Sequence, residues 1–369
     1  MSCEFSFGPE YKGVRVDIAL TEMLTDEHAD FAGASRTQLH KLIAVQGVLI
    51  NGKPPKKNMM LRGGETATVL LDVWKELTRD RAEMRFKLED IPFTLDTIYE
   101  DEYLLAINKP AGVTVHPVQG MPEPTIVDYL RAKAVELAQT GEALKPGIVH
   151  RLDKGTSGLM LIAKDIQTHQ LLQAAFEQRR VRKHYLAVTI GPELLEQGRW
   201  EYMLARNPHH RELFMAAPEG RHSLTYYKML AANGLCNFLL LRIITGRTHQ
   251  IRVHLKENKH SIIGDDDYGK GANQELAKFL GGGMDESLHK AWSEALPESD
   301  ARMRMRGAVD ASPGMFLHAY AISFVHPRTN EAVSLKAPLP DYFSSLCGVF
   351  DWEAPQHPES LLHIEGENG

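Results

Sequence analysis

His150-Arg151-Leu152-Asp153-Lys154-Gly155-Thr156-Ser157-Gly158 runs directly into Leu159-Met160-Leu161-Ile162-Ala163. The second stretch is a short continuous apolar run, which reads as a strand buried on both faces. The first is a loop of small and charged residues with one carboxylate, Asp153, between Arg151 and Lys154. A loop of this kind holds a side chain at the end of a sheet, where functional sites often lie. Neighbouring guanidinium and ammonium groups favour the charged form of a carboxylate. By residue type alone an Arg-x-Asp pair serves structure at least as often as chemistry, and Thr156 and Ser157 are by default turn-capping hydroxyls. The stretch contains no GxSxG elbow, which argues against a serine hydrolase.

Outward from this window the β-rich runs continue: Leu104–Ile107 before it, then Tyr185–Val188, Phe238–Leu241 and Phe316–Phe324. Helical patterns between them are fewer and shorter, such as Asp165–Arg180. The order is strand-heavy α+β and lacks the regular strand-helix alternation of a doubly wound sheet. Residues 270–312, rich in Gly, Met and charge, read as an insertion, and 346–369 as a loose acidic tail. Residues 72–90 are highly charged and read as a linker that separates the main domain, 91–345, from a first segment, 1–71.

In that first segment Leu39, Leu42 and Ile43 recur at helical spacing after Ser35, a natural N-cap. Gln46-Gly47 stops the helix, Val48–Ile50 reads as a strand, and Asn51-Gly52 is a strong hairpin signal. Arg36, Lys41, Lys53, Lys56 and Lys57 cluster on this helix and turn. The chain has 369 residues and a formal net charge of -6, but the charges are sorted. From Phe31 to Gly64 six basic residues meet no acidic one, whereas from Ala337 onward six acidic residues meet no Lys or Arg. Segments 145–184 and 242–260 carry net charges of +5 and +4 (eight basic against three acidic, and five against one). Local concentration of this kind suits a polyanion, because each neutralised phosphate releases counterions.

Several classes are excluded or disfavoured. No apolar run approaches the roughly 18 residues of a membrane-spanning helix. Cys3, Cys236 and Cys347 are sparse and form no CxxC, against a disulfide framework or a cysteine zinc site. The opening Met1-Ser2-Cys3-Glu4-Phe5 has neither a basic nor an apolar segment, so a secretory signal is not expected and a cytoplasmic protein is.

HRLDKGTSG resembles the signature loop of the RluA-type pseudouridine synthases. Leu105–Val113, with its KPAG turn, is similar to the strand and turn that open that family's catalytic domain. Lys183-His184-Tyr185 resembles its K-x-Y strand, Thr245–His254 its third motif, and Gly264–Gly269 its GD-x-x-YG loop. These matches span about residues 95–270 in the family's order. The segment SRTQLHKLIAVQGVLINGKPPKKNMMLRGGE is similar to the S-four-type (alpha-L) RNA-binding module, the arrangement of ribosomal-RNA branches of RluC or RluD kind.

The resemblance implies a pseudouridine synthase fold, with a mixed, largely antiparallel central sheet flanked by helices behind a small RNA-binding domain. It implies isomerisation of specific uridines in structured RNA, ribosomal RNA first and transfer RNA second, with no cofactor and no metal. A monomer without an obligatory protein partner is expected. Asp153 is the implied catalytic carboxylate, acting as a nucleophile on sugar or base or as a base toward the 2′ proton. Arg252 is its implied charged partner, and Tyr185 is implied to stack on the target base and help move the C5 proton. Arg151 is implied to fill the place of the flipped nucleotide or to contact phosphate. Leu255 lines the uracil pocket or packs in the core. Lys109, His150 and Thr156 are expected as loop supports or phosphate contacts. A metal reading of His249, His254 and His260 beside Asp265–Asp267 fails on spacing, which does not align on one helical face. A non-catalytic RNA-binding assembly factor is disfavoured because Asp153, Tyr185 and Arg252 are all present.

Overall fold

The structure is a computed structural model that describes residues 2–27, 31, 36–56, 59–78, 85–117, 121–135, 137–138, 145–283 and 286–362. In the first segment β1 (Ser2–Ser6), α1 (Val16–Glu27), α2 (Arg36–Ala44), β2 (Val48–Ile50), β3 (Thr66–Leu70) and α3 (Leu71–Thr78) occur in that order. Their strands form an antiparallel sheet of order β1-β3-β2. Gln46, at φ 60, ends α2 in the left-handed region, and Gly47 donates its N–H to Leu42 O at 2.8 Å. Asn51 and Gly52 have positive φ (48 and 74), as a tight turn requires. The turn closes on Lys53, but the ladder partner of β2 is β3, with fifteen residues between the two strands, so the motif makes a turn rather than a full hairpin. The expected N-cap, Ser35, lies outside the described residues.

Residues 71–78 are helical and do not behave as linker. Trp74 is buried and its ring lies 4.8 Å from that of Phe31. The first core (Leu20, Leu24, Leu39, Leu42, Val69) therefore extends through α3. The alternating charges masked this, since among the described side chains Leu71 and Trp74 are buried and Val73 packs against the same core.

The larger part contains β4 (Asp96–Glu100), β5 (Leu104–Lys109), α4 (Ile126–Ala132), β6 (Ser157–Ala163), α5 (Ile166–Glu177), β7 (Arg182–Ile190), β8 (Gln197–Arg206) and β9 (Phe214–Ala216). It continues with β10 (Arg221–Ala232), β11 (Cys236–Ile243), α6 (Gln250–Glu257), β12 (Ser261–Ile262), α7 (Lys270–Leu280), α8 (Glu286–Ala295) and α9 (Ser299–Asp310). It closes with β13 (Leu317–Val325), β14 (Ala332–Lys336), α10 (Asp341–Val349) and α11 (Pro358–Leu361). One sheet takes the order β4-β5-β6-β13-β7-β11-β10-β8-β9, with β12 beside β7 and β14 beside β13. Among the described residues only the β6–β13 pair is parallel. The architecture is thus α+β with a mixed, largely antiparallel sheet.

β6, β7 and β11 sit at the centre, and their unbroken apolar runs follow from burial on both faces. A Cβ on Gly158 would lie 2.3 Å from Ala319 O, and its φ is +111, so only glycine lets β6 approach β13 here. Asp165 caps α5 by accepting from Thr168 N at 2.8 Å, and a Thr125–Asp128 capping box opens α4.

Two segments differ from their sequence reading. The described residues of 270–312 form α7, α8 and α9, and Leu276, Phe279, Leu296, Met305 and Ala308 complete the main core. Their spacing is helical, but the intervening charges obscure it. The acidic end is also packed as far as Leu362: Leu346 and Cys347 are buried, Trp352 stacks on Phe238 at 5.7 Å, and Leu362 O accepts from Arg242 Nη1 at 3.2 Å.

Candidate active site

A cleft of about 400 Å³ opens where the 150–156 loop meets the end of β7 and the loop between β11 and α6. Backbone bonds fix the Asp153 loop. Thr156 N donates to Asp153 O (3.1 Å), Gly112 N to Lys154 O (2.8 Å) and Met315 N to Gly155 O (3.0 Å). Lys109, fully buried, donates its ammonium to Pro110 O and Val113 O at 2.8 Å and to Lys154 O at 3.3 Å. Burial pulls its pKa down to about 7, against the pull of the Asp153 charge. Lys109 thus ties the KPAG turn to the Asp153 loop and does not line the cleft.

The carboxylate of Asp153 is 19% exposed and faces the cleft. Its Oδ2 lies 3.6 Å from Arg252 Nη1, and its Oδ1 lies 3.9 Å from His249 Nε2. Arg252 does make a bidentate carboxylate pair, but with Asp265 rather than Asp153. Arg252 Nε and Nη2 donate to Asp265 Oδ2 and Oδ1, both at 2.7 Å, and Nη2 also donates to Asp267 at 2.7 Å. Asp265 is 1% exposed, so it is the structural anchor, and Nη1 alone remains for Asp153. The guanidinium also lies over the Tyr268 ring at 4.6 Å, and the carboxylates hold its pKa above the usual arginine value despite burial.

His249 precedes α6 in the left-handed region (φ 55). Its Nδ1 meets Tyr268 OH at 2.8 Å, and that hydroxyl accepts from Phe214 N at 2.7 Å. Nε2 is left to face Asp153. Burial lowers the pKa of His249, which keeps the ring neutral.

Tyr185 is 7% exposed and lines the cleft from β7 with Ile251 and Leu317. Burial, helped by the Asp153 charge, raises its phenol pKa, so the hydroxyl keeps its proton. Arg151 is exposed at the rim and Thr156 is buried at the cleft wall. His150 also lines the cleft, but its Nε2 accepts from Leu161 N at 2.9 Å and burial lowers its pKa to about 3. Leu255 is fully buried in the core beside Tyr185 and Ile251, on the packing side of the two expected roles. In the first segment Lys41, Lys53 and Lys56 are exposed. Arg36 opens α2, and its side chain and Lys57 lie outside the described residues. His254 bonds Ser223 Oγ at 2.7 Å, and among the described residues no three His, Cys, Asp or Glu side chains are placed to hold a metal ion.

Sequence reasoning assigned no role to Asp265, Asp267 or Tyr268. The GD-x-x-YG resemblance marked the loop that carries them, but not the guanidinium they meet.

Residues 103–257 match the family described as RNA pseudouridylate synthase. Ribosomal large subunit pseudouridine synthase D of Neisseria meningitidis (strain Z2491) is 34% identical over 94% of this chain and 81% of that protein. The chain belongs to the RNA pseudouridine synthase family. Escherichia coli O6:H1 has a relative, also named ribosomal large subunit pseudouridine synthase D, that is 31% identical over 95% of this chain and 94% of that protein. A solved human structure, RNA Pseudouridylate Synthase Domain Containing 4, is 24% identical, with a TM-score of 0.49 over 70% of this chain and 94% of that one. Synthases of this family are isomerases: the N1–C1′ bond of a uridine is exchanged for a C5–C1′ bond, and one proton leaves C5 while one is gained at N1. The matched window holds the KPAG turn, Asp153, Tyr185 and Arg252, and stops before Asp265.

Proposed function

We propose that this synthase acts on uridines of large-subunit ribosomal RNA, with Asp153 as the group that attacks or deprotonates the target nucleotide. The observation that carries the reading is the placement of Asp153. It stands in a cleft, 3.6 Å from an arginine that Asp265 locks in place, beside the mostly apolar face of Tyr185. The names of the relatives supply the substrate. C1′ and C5 are inaccessible in a stacked helix, so the target nucleotide leaves the stack at a cost of a few kcal/mol. Tyr185 then stacks on the uracil, a contact of roughly 1–3 kcal/mol that holds the detached base while it turns. Arg151, at the rim, takes the vacated place. The reaction balances within the nucleotide and the carboxylate, so it calls for no redox partner or group donor.

Asp153→Asn is expected to lower tritium release from C5-labelled, unmodified large-subunit ribosomal RNA by about 10³-fold or more, with RNA affinity within severalfold. Full turnover in that variant removes the mechanism. Mapping pseudouridines in cells with and without the gene tests the substrate.

The first segment serves as an S-four-type RNA reader through Lys41, Lys53 and Lys56, and the protein works in the cytoplasm as a monomer. No helix among the described residues is long and apolar enough to cross a membrane. Changing the three lysines to Gln is expected to flatten the slope of log affinity against log salt by about 0.7–0.9 for each phosphate no longer neutralised. An unchanged slope assigns RNA binding to the larger part alone.

A further inference from the structure

One wall of the cleft carries a cation that the chemistry at Asp153 does not use. Lys183 is the second residue of β7, two before Tyr185, so both side chains leave the strand on the same face, roughly 6.6 Å apart along it. It lines the cleft near Gly246, where an added Cβ would lie 3.6 Å from its ammonium nitrogen.

The buried cations near the site have protein partners. Arg252 meets three carboxylates, and Lys109 meets three carbonyls. Among the described residues the Lys183 ammonium has no hydrogen-bond or ion-pair partner, only the ring of Phe176 at 5.3 Å. Glu177 lies along the same cleft but is exposed and makes no ion pair with it. Burial lowers the pKa of Lys183 to about 8, as expected for an ammonium without a counter-ion. Lys183 is half-buried at the cleft wall, and a partly desolvated cation of this kind gains from an anion supplied from outside. Two further cations stand on the same wall. Arg179 sits on the turn after α5 at φ 59, and Arg247 donates Nε to His222 O at 3.1 Å while lining the cleft.

We propose that Lys183, flanked by Arg247 and Arg179, binds the backbone phosphate of the flipped nucleotide while Tyr185 holds its base. The spacing of the two strand residues suits a ligand with a planar apolar ring at one end and an anion at the other. The three cations give that anion charge and directed donors, with no carboxylate among the described residues in contact with Lys183. Lys183 is thus a positioning residue: it fixes the sugar between phosphate and base so that C1′ comes to Asp153. The inference rests on the uridine-isomerising reading and names how that same site grips its substrate.

The test uses the full chain and C5-tritiated, unmodified large-subunit ribosomal RNA. Wild-type protein without tritium release overturns the proposed function itself. With wild type active, Lys183→Met is expected to lower kcat/KM roughly ten- to a hundredfold, carried by KM. Its slope of log affinity against log salt is expected to be shallower by about one phosphate contact, 0.7–0.9. Lys183→Arg keeps the charge and restores both. A second arm uses a short RNA substrate with a methylphosphonate at the target linkage. The wild type loses affinity for it, and Lys183→Met, already without the contact, does not. A Lys183→Met protein with an unchanged salt slope, or one that loses as much affinity as wild type on the methylphosphonate, overturns the assignment.

Discussion

Arg252 has five N–H donors in a rigid fork, and its neighbours divide them unequally. Asp265 takes two in a buried pair, Asp267 shares one from an exposed position, and Asp153 receives only the long contact of Nη1. The arginine therefore supports both the fold and the site. Arg252→Met is expected to abolish tritium release and also to destabilise the protein by about 3–5 kcal/mol, because it leaves the buried Asp265 charge uncompensated. Asp267→Asn, whose carboxyl group is 53% exposed, is expected to change activity by less than about threefold, since exposed ion pairs contribute little. Denaturant unfolding and single-turnover rates on both variants check the split. Equal losses would show that Asp267, not Asp265, holds the guanidinium.

At the scale of elements, the site depends on how closely β6 and β13 run. The parallel contact of Gly158 with Ala319 sits directly after Thr156 and Ser157, so strand spacing and loop position are one feature. Gly158→Ala puts a methyl group against backbone at a positive φ and is expected to destabilise by more than about 2 kcal/mol, with reduced activity. Gly307 in α9 is exposed and has nothing within 4 Å of an added Cβ. Gly307→Ala is therefore expected to stabilise by about 0.5–1 kcal/mol with unchanged turnover. Thermal melts of the two variants decide it, and a tolerated Gly158→Ala would refute the close approach. The same comparison shows why the HRLDKGTSG glycine was legible as part of a loop while its reason was not. The neighbour that demands it, Ala319, is 161 positions away.

Across the whole molecule several histidines are buried as neutral rings. Burial lowers His150 to about 3 and His254 and His318 to about 4, from an ordinary value near 6.5. Between those values the unfolded chain binds more protons than the folded one, so stability rises with pH there. The contribution is fully present above about 6.5 and is lost as pH falls toward 4. For His254 alone it is on the order of 3 kcal/mol. The urea midpoint is expected to fall steeply between pH 7 and pH 4.5, and less so in a His254→Gln variant. A flat profile would mean that these rings are solvated. Two other whole-molecule features escaped the sequence. The charged 270–312 stretch and the acidic end are both core-forming, because a few inward residues at helical spacing suffice to dock an otherwise polar segment.

Local information was enough for the central strands, the α2 stop at Gln46-Gly47, the tight turn at Asn51-Gly52 and the motifs around Asp153, Tyr185 and Arg252. Each of these is written in neighbouring residues, as hydrophobic period, turn chemistry or a contiguous signature. Tertiary structure alone decided that Asp265 claims the fork of Arg252, that Lys109 and Leu255 are buried away from the cleft, and that Lys183 faces the cleft with no anion of the described residues in contact. Those outcomes are set by which side chains from distant segments reach one another. Coulomb energy and desolvation depend on distances through space, and no spacing along the chain encodes them.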